Sequence, residues 1–139
     1  MSIHEKINTL LPIIFPKFCL QYDQYENELV FLQPKQGVSN HLQIFDKTQC
    51  EALQNHVHLF DHVPRIYQEM NLRICRSIAE NLWNRLKESY PTKHFVVYLH
   101  WNPKGSSTVR FHQLWADEEP YFDLKNNSVS QGKLFVYSD

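Results

Sequence analysis

Two pairs of histidines have the spacing best suited to metal binding or acid–base chemistry. His58 and His62 are four residues apart, so a continuous helix would present both on one face, as metal ligands require. His100 and His112 lie on two predicted strands joined by the turn at 102–105, where they could face each other as general acid and base. Neither pair has a third group at a position that would complete a site. The alternative for both pairs is structural, with imidazoles that pack and form hydrogen bonds.

Other common catalytic and cofactor motifs are missing from the sequence. The 3 glycines are far apart, so the chain has no phosphate-binding loop and no dinucleotide fingerprint. The 3 cysteines are odd in number and not closely paired, which indicates reduced thiols in a cytosolic protein. We therefore expect no enzymatic activity, no cofactor and no metal. The alternative is a small phosphodiesterase or nuclease that uses His100 and His112.

Length and charge limit the class of protein. A chain of 139 residues with 42% hydrophobic residues is the size of one domain, and we expect residues 1–139 to form it. The net charge of −1 does not suggest direct binding to nucleic acid, which requires a strongly basic surface. No signal peptide or membrane span is visible, so we expect a cytoplasmic protein that does not bind membranes.

The strongest structural signal is a long amphipathic helix over about residues 63–89. Apolar residues recur there every four positions and predict one buried stripe. The stripe consists of Ile66, Met70, Ile74, Ile78, Leu82 and Leu86. If it faces a sheet, Ile74→Asp would bury an unpaired charge and cost about 3 kcal/mol or more.

The remaining elements predict an α+β fold, in which an antiparallel sheet packs against the long helix and shorter helices lie towards the N-terminus. A helix over 2–11 would begin at Ser2, with Glu5 completing a capping box, and end at Pro12. A second helix would follow the cap residue Asp46, and the spacing of Leu53, Val57 and Phe60 predicts that they share one face of it. Strands are predicted at 17–22, 28–33, 41–45, 94–101, 108–115 and 133–137.

The segment from Trp115 to Asp123, which we call the acidic–aromatic loop, combines three aromatic residues with four carboxylates. Aromatic anchors surrounded by negative charge suit an interface with a basic protein. The predicted partner-binding residues are Asp117, Glu118, Glu119, Tyr121 and Asp123. Glu26 and Glu28 could extend the acidic surface. The alternative is a solvated loop whose aromatic side chains fold back onto the sheet, and substitutions in the loop are expected to leave the protein folded.

About 30 residues at the C-terminus carry a resemblance to a known family. They comprise the run Val109–Trp115 with its Arg-Phe-His sequence, then Glu118-Glu119-Pro120, Leu124 and the strand Leu134–Tyr137. This pattern resembles the C-terminal part of bacterial polymorphic-toxin immunity proteins, including those of contact-dependent growth inhibition. It departs from them at Trp115 and Ala116, where the family has a basic residue and a glycine. The resemblance implies a cytoplasmic inhibitor that binds a cognate protein toxin domain, often a nuclease. A structural adaptor domain is a further alternative.

Overall fold

In a computed structural model, which describes residues 2–33, 43–125, 129 and 131–139, a four-stranded antiparallel sheet lies beside one long helix. The elements are α1 (Ile3–Ile14), β1 (Phe18–Tyr22), β2 (Glu28–Leu32), α2 (Lys47–Gln54), β3 (His56–Asp61), α3 (Gln68–Ser89), β4 (Phe95–Trp101), β5 (Ser106–Gln113) and β6 (Lys133–Ser138). The sheet has the order β3-β5-β4-β6, and β1 pairs with β2 in a separate hairpin. The predicted α+β class is confirmed. Within the described ranges, no helix combines the length and apolar character needed to cross a bilayer.

Five of the six predicted strands are confirmed, with ends that shift by up to two residues. The exception is the strand predicted at 41–45. Positions 41 and 42 lie outside the described residues, and positions 43–45 belong to no strand. The predicted hairpin between the first two strands is confirmed by the antiparallel pairing of β1 with β2.

Helix α3 confirms the long predicted helix from Gln68 onwards, whereas residues 65–67 form a separate 3-10 turn before it. The predicted apolar stripe is wrong in its first half. Ile66, Met70 and Ile74 are 82%, 51% and 43% exposed. An α-helix turns by about 100° per residue, so a spacing of four drifts by about 40° at every repeat and cannot stay on one face. The α3 residues in the main core are Cys75, Ile78, Ala79, Leu82 and Leu86. Because Ile74 is partly exposed, the large cost expected for Ile74→Asp does not apply.

Helix α1 begins as predicted and ends later than predicted. The Glu5 backbone amide donates to Ser2 Oγ at 3.1 Å, and the Ser2 amide donates to Glu5 Oε2 at 2.7 Å, which completes the capping box. The prediction that Pro12 ends the helix is wrong, since the helix continues to Ile14. A proline removes one backbone hydrogen bond. Ile13 is only 1% exposed, and its burial offsets part of that loss.

Helix α2 is short because a strand begins directly after it. The predicted cap is confirmed, as Asp46 Oδ1 accepts from the Gln49 amide at 2.9 Å. The prediction that Leu53, Val57 and Phe60 share a helix face is wrong, because the last two belong to β3. Strand β3 pairs with β5, and its backbone hydrogen bonds with that neighbour replace those of a continued helix.

Glu51 and Asn55, one turn apart on α2, connect the two sheets. Asn55 accepts from the Leu32 amide at 2.9 Å and donates to the Val30 carbonyl at 2.8 Å. Glu51 accepts from the Val30 amide at 2.8 Å and from the Gln113 amide at 3.0 Å. The two side chains therefore satisfy backbone groups of β2 and β5 that would otherwise be buried without partners. Burial raises the pKa of Glu51, against the effect of these donated hydrogen bonds.

The two faces of the four-stranded sheet have different coverings. Alternate residues of a strand point to opposite faces. Phe95, Val97 and Leu99 belong to the main core with α1 and α3. Val96 and Tyr98 belong to a second cluster on the other face. That cluster is completed by Leu114, Tyr121, Phe122, Leu124, Val129, Leu134 and Val136. The acidic–aromatic loop therefore covers the sheet face opposite to the helices.

Candidate functional site

The first histidine pair does not form the predicted shared face. His58 is on β3, and its Nδ1 lies 3.1 Å from Ser106 Oγ and 3.2 Å from Thr108 Oγ1. His62 follows the end of that strand with a φ of 46°. The backbone here is extended and then turns, so the helical spacing argument does not apply. In the part of the chain that the structure describes, no three His, Cys, Asp or Glu side chains are grouped to hold a metal ion.

The second pair, His100 and His112, is on one face of the sheet but not at facing positions. His100 pairs with Thr108 across the ladder, whereas His112 pairs with Val96. The two histidines are therefore separated along the strands. His100 Nε2 lies 2.6 Å from the Gln131 carbonyl, and His112 is completely buried. This arrangement does not give the acid and base pair that the sequence suggested.

The acidic–aromatic loop is attached to α2 through Glu118. Its carboxylate accepts hydrogen bonds from the backbone amides of Lys47 at 3.0 Å and Thr48 at 2.7 Å. These are the first two amides of the helix, which have no acceptor within it. Asp46 takes the third, that of Gln49. Glu118 therefore completes the helix cap from a distant part of the chain, and negative charge at this end also suits the helix dipole.

Lys47 neutralises the buried side of this cap. Its Nζ lies 3.1 Å from Asp117 Oδ2 and 3.3 Å from Glu118 Oε2, and 5.0 Å from the centre of the Trp115 ring. Burial alone would lower the pKa of Lys47, but the two carboxylates raise it above its ordinary value. The hydrogen bond with Lys47 lowers the pKa of Asp117. All three groups are therefore charged at neutral pH.

The aromatic residues of the loop fold back onto the body of the protein, as the alternative interpretation of this segment proposed. Trp115 Nε1 donates to Glu51 Oε1 at 2.8 Å. The Tyr121 ring lies 4.6 Å from the guanidinium carbon of Arg110. Phe122 packs in the cluster on this sheet face. These contacts fix the first end of the loop to α2 and its second end to the four-stranded sheet.

Buried His112 contributes another attachment. Its Nδ1 lies 2.7 Å from the Gln113 carbonyl, which can only accept, so Nδ1 carries the proton. Its Nε2 then accepts from the Tyr121 amide at 3.1 Å and lies 3.0 Å from the Tyr98 hydroxyl. Burial lowers the pKa of His112 and raises the pKa of Tyr98 to about 12. Neutral His112 therefore holds the loop in place, with the Phe122 amide 3.4 Å from the Tyr98 hydroxyl.

Three of the predicted partner-binding residues point outwards from this fixed loop. The Asp117 side chain is 71% exposed, and Glu119 and Asp123 are also exposed. Asp123 Oδ1 accepts from the Lys125 amide at 2.9 Å, which fixes its orientation. The other two predicted residues, Glu118 and Tyr121, are partly buried and make the internal contacts described above. The result is a fixed backbone that presents carboxylates to solvent.

The first hairpin adds less to the acidic surface than its sequence suggests. Glu28 Oε2 lies 3.3 Å from Lys93 Nζ, so its charge is balanced within the chain. Glu26 is exposed in the turn between β1 and β2, with a φ of 64°. The Asp23 carboxylate in the same turn is buried and accepts from the backbone amides of Tyr25 and Asn27.

Comparison with known proteins gives one family. Its sequence model matches residues 21–138, from β1 to the end of β6. The chain belongs to the uncharacterized protein PM0498 family. The family match includes the whole acidic–aromatic loop and α2, and helix α1 lies outside it. No curated protein and no solved structure shows significant similarity to the chain.

Three polar residues within this family match hold the loop, or the helix α2 to which it attaches, but were not identified from the sequence. They are Lys47, Glu51 and Asn55. The only local signal was the spacing of Glu51 and Asn55, which places them on the same side of α2. Their partners are 21 to 71 positions away in the chain, so the contacts depend on the fold.

Proposed function

We propose that this protein is a stoichiometric protein-binding inhibitor, specifically an immunity protein that binds and neutralises a cognate toxin domain in the cytoplasm. The observation that carries the proposal is the acidic–aromatic loop, whose backbone is attached to α2 and to the sheet while carboxylates face solvent. A surface that is already ordered loses little conformational entropy on binding. Such a surface suits rapid and specific association with a basic protein.

The five predicted binding residues have different roles in this proposal. Glu119 and Asp123 supply the outward negative charge that contacts the partner, and exposed Asp117 adds to it although it also pairs with Lys47. Glu118 is a positioning residue, because both of its carboxylate oxygens accept hydrogen bonds from α2. Tyr121 is half-buried against Arg110 and offers the remainder of its ring to the interface.

A nuclease domain is the partner class that fits best. An enzyme that cuts nucleic acid needs a basic cleft to hold phosphates. Exposed carboxylates on an attached loop backbone can occupy such a cleft in place of the phosphates. The same carboxylates would repel nucleic acid itself, which argues against direct nucleic-acid binding by this protein.

The geometry gives less support to the alternative of a small phosphodiesterase or nuclease. Such an enzyme would need His100 and His112 to act on one substrate. They are at different positions along the sheet, and buried His112 already uses both ring nitrogens. The adaptor alternative is separated from the proposal by measuring inhibition, since an adaptor would bind a partner without blocking its activity.

The test uses the product of the gene adjacent to the one that encodes this chain, because an immunity gene lies beside its toxin gene. Association is measured at about 50 mM and about 300 mM NaCl, which changes the screening length of the loop charges. The variant Glu119→Lys with Asp123→Lys reverses two exposed charges and leaves the Glu118 cap intact. We expect association at low salt to slow by about tenfold or more, and its salt dependence to weaken.

The matched control is Glu80→Lys with Glu88→Lys, which makes the same charge change on exposed positions of α3. It should associate and protect cells like the wild type. Equal effects of the two double variants would mean that only net charge matters and that the loop is not the interface. Binding without any loss of toxin activity would favour the adaptor alternative.

A further inference from the structure

Helix α1 has more apolar surface than the domain covers. Leu10 and Ile13 are buried in the core. On the adjoining face, large apolar side chains remain exposed at positions that are neighbours along the helix. They are Ile3, Ile7, Leu11 and Ile14, followed by Phe15 directly after the helix. An amphipathic helix that packs on one side only would have polar residues on this second face.

This exposed apolar face continues onto α3. A groove of about 750 Å³ lies between the two helices and includes Ile14, Phe15, Met70 and Ile74. A second groove of about 280 Å³ also contains Met70 and Ile74, and extends to Tyr67. Because the two grooves share residues, they form one surface. Ile66, which directly precedes Tyr67, is a further exposed apolar residue beside it.

The size of this surface matches what a stable dimer requires. The nine exposed apolar residues named above are between 37% and 82% exposed. If a full side chain of this size presents about 200 Å², they leave roughly 1,000 Å² in water. A typical stable interface buries about 800 Å² on each partner, whereas the largest apolar patch of an ordinary monomer is about 300–600 Å².

The charged residues beside the apolar residues of α3 favour a second copy of this chain as the partner, rather than a different protein whose surface carries charge of one sign. Glu69 and Arg73 are four positions apart on α3, so they lie side by side on the helix with opposite charges, and Arg65 lies in the turn directly before α3. In a two-fold dimer the same surface meets itself in the opposite direction. Glu69 of one copy can then approach Arg73 of the other copy. In the described part of the chain, neither arginine forms an ion pair.

We infer that the protein forms a two-fold homodimer through the apolar face of α1 and the first half of α3. This inference does not depend on the proposed inhibitor function. The helices cover one face of the four-stranded sheet and the acidic–aromatic loop covers the other. Dimerisation would therefore leave the loop of each copy accessible.

The test is sedimentation equilibrium of the full chain at roughly 1 to 100 µM, without any partner. We expect a species of twice 16.7 kDa. The variant Ile74→Glu places a charge at the centre of the face and should weaken association by about 100-fold or more. Leu53→Glu is the matched control, because Leu53 is an apolar helix residue of similar exposure, 46%, in neither groove. A wild-type monomer throughout this range overturns the inference, as does an Ile74→Glu protein that stays dimeric.

A charge exchange tests the interface even if Ile74→Glu affects folding. Glu69→Arg gives positions 69 and 73 of α3 the same positive charge and should weaken the dimer. Adding Arg73→Glu restores one charge of each sign and should recover most of the affinity. If the double variant dimerises no more tightly than the single variant, the inferred contact between Glu69 and Arg73 is wrong, and the proposed packing of the two copies is refuted. Circular dichroism confirms that each variant remains folded.

Discussion

Replacing Glu118 by alanine removes the side chain that closes the acidic–aromatic loop onto α2. The backbone amides of Lys47 and Thr48 lose their acceptor, and Lys47 Nζ loses one of its two ion pairs and keeps that with Asp117. Loss of a helix cap costs about 0.5–2 kcal/mol, and loss of a hydrogen bond to a charged group about 1.5–3 kcal/mol. Because these losses concern the same contacts, we expect the unfolding free energy to fall by about 2–3 kcal/mol.

Thermal and urea unfolding measure this loss, with Glu119→Ala as the control. A loss of this size in a domain of this length should lower the Tm by about 10 °C. Glu119 is exposed, so its replacement should change the unfolding free energy by no more than about 0.5 kcal/mol. Equal unfolding curves for the two variants would refute the capping role of Glu118. The prediction from the sequence, that substitutions in the loop leave the protein folded, would then also hold for Glu118.

The effect of Glu118 should depend on pH. Burial alone would raise the pKa of Glu118, but hydrogen bonds from the Lys47 and Thr48 amides, together with Lys47 Nζ, hold it below its ordinary value of 4.5. A carboxyl whose pKa is lowered in the folded state stabilises the protein above its ordinary pKa, and this contribution is lost as the pH falls through the lowered value. The difference in unfolding free energy between wild type and Glu118→Ala should have its full size at about pH 7 and become smaller below about pH 4. If this difference in unfolding free energy stays constant with pH, the charge of the Glu118 carboxylate does not contribute to stability.

Four further substitutions test the core and the loop attachments. At a protein concentration low enough for the chain to be monomeric, Ile78→Asp should lower the unfolding free energy by about 3 kcal/mol or more, whereas Ile74→Asp should cost less than about 1 kcal/mol, because only Ile78 is buried within the single chain. Similar costs of the two variants in urea unfolding would contradict the assigned helix face. Glu51→Gln places an amide N–H against groups that are themselves donors, so it should lower the unfolding free energy by about 3 kcal/mol in urea unfolding. An unchanged unfolding free energy would mean that the two sheets are joined differently. Burial lowers the pKa of His112, so its contribution is present above the ordinary value of 6.5 and is lost as the pH falls. Wild-type stability should therefore drop more steeply between about pH 7 and pH 5 than that of His112→Gln, and parallel curves would contradict this role.

Local signals in the sequence predicted the elements whose determinants are close together in the chain. The Ser2 and Glu5 capping box, the Asp46 cap and the end of the long helix before Pro91 each depend on residues within one or two turns. The alternating strands β4 and β5 were also predictable, because their period of two is directly visible. These features need no information about the rest of the fold.

The errors arise where several structures satisfy the same local pattern. Leu53, Val57 and Phe60 fit a helical spacing, but the pairing of β3 with β5 decides the outcome. The regular spacing from Ile66 onwards suggests one stripe, yet its drift around the helix takes the first half out of the core. The attachment of the acidic–aromatic loop to α2 was equally inaccessible, because Glu118 contacts residues about 70 positions earlier in the chain.

The separation of the two surfaces has a consequence for how the protein would bind its partner. The main core joins the helices to one face of the four-stranded sheet, and the acidic–aromatic loop packs on the other face. A dimer formed through the helices would therefore carry two loops that point away from the shared interface. Two toxin domains could bind without contact between them, so the dimer would bind two partners at equal affinity rather than one at increased affinity. Titration of the dimer with its partner should then saturate at one toxin per chain, and saturation at one toxin per dimer would show that the two surfaces are not independent.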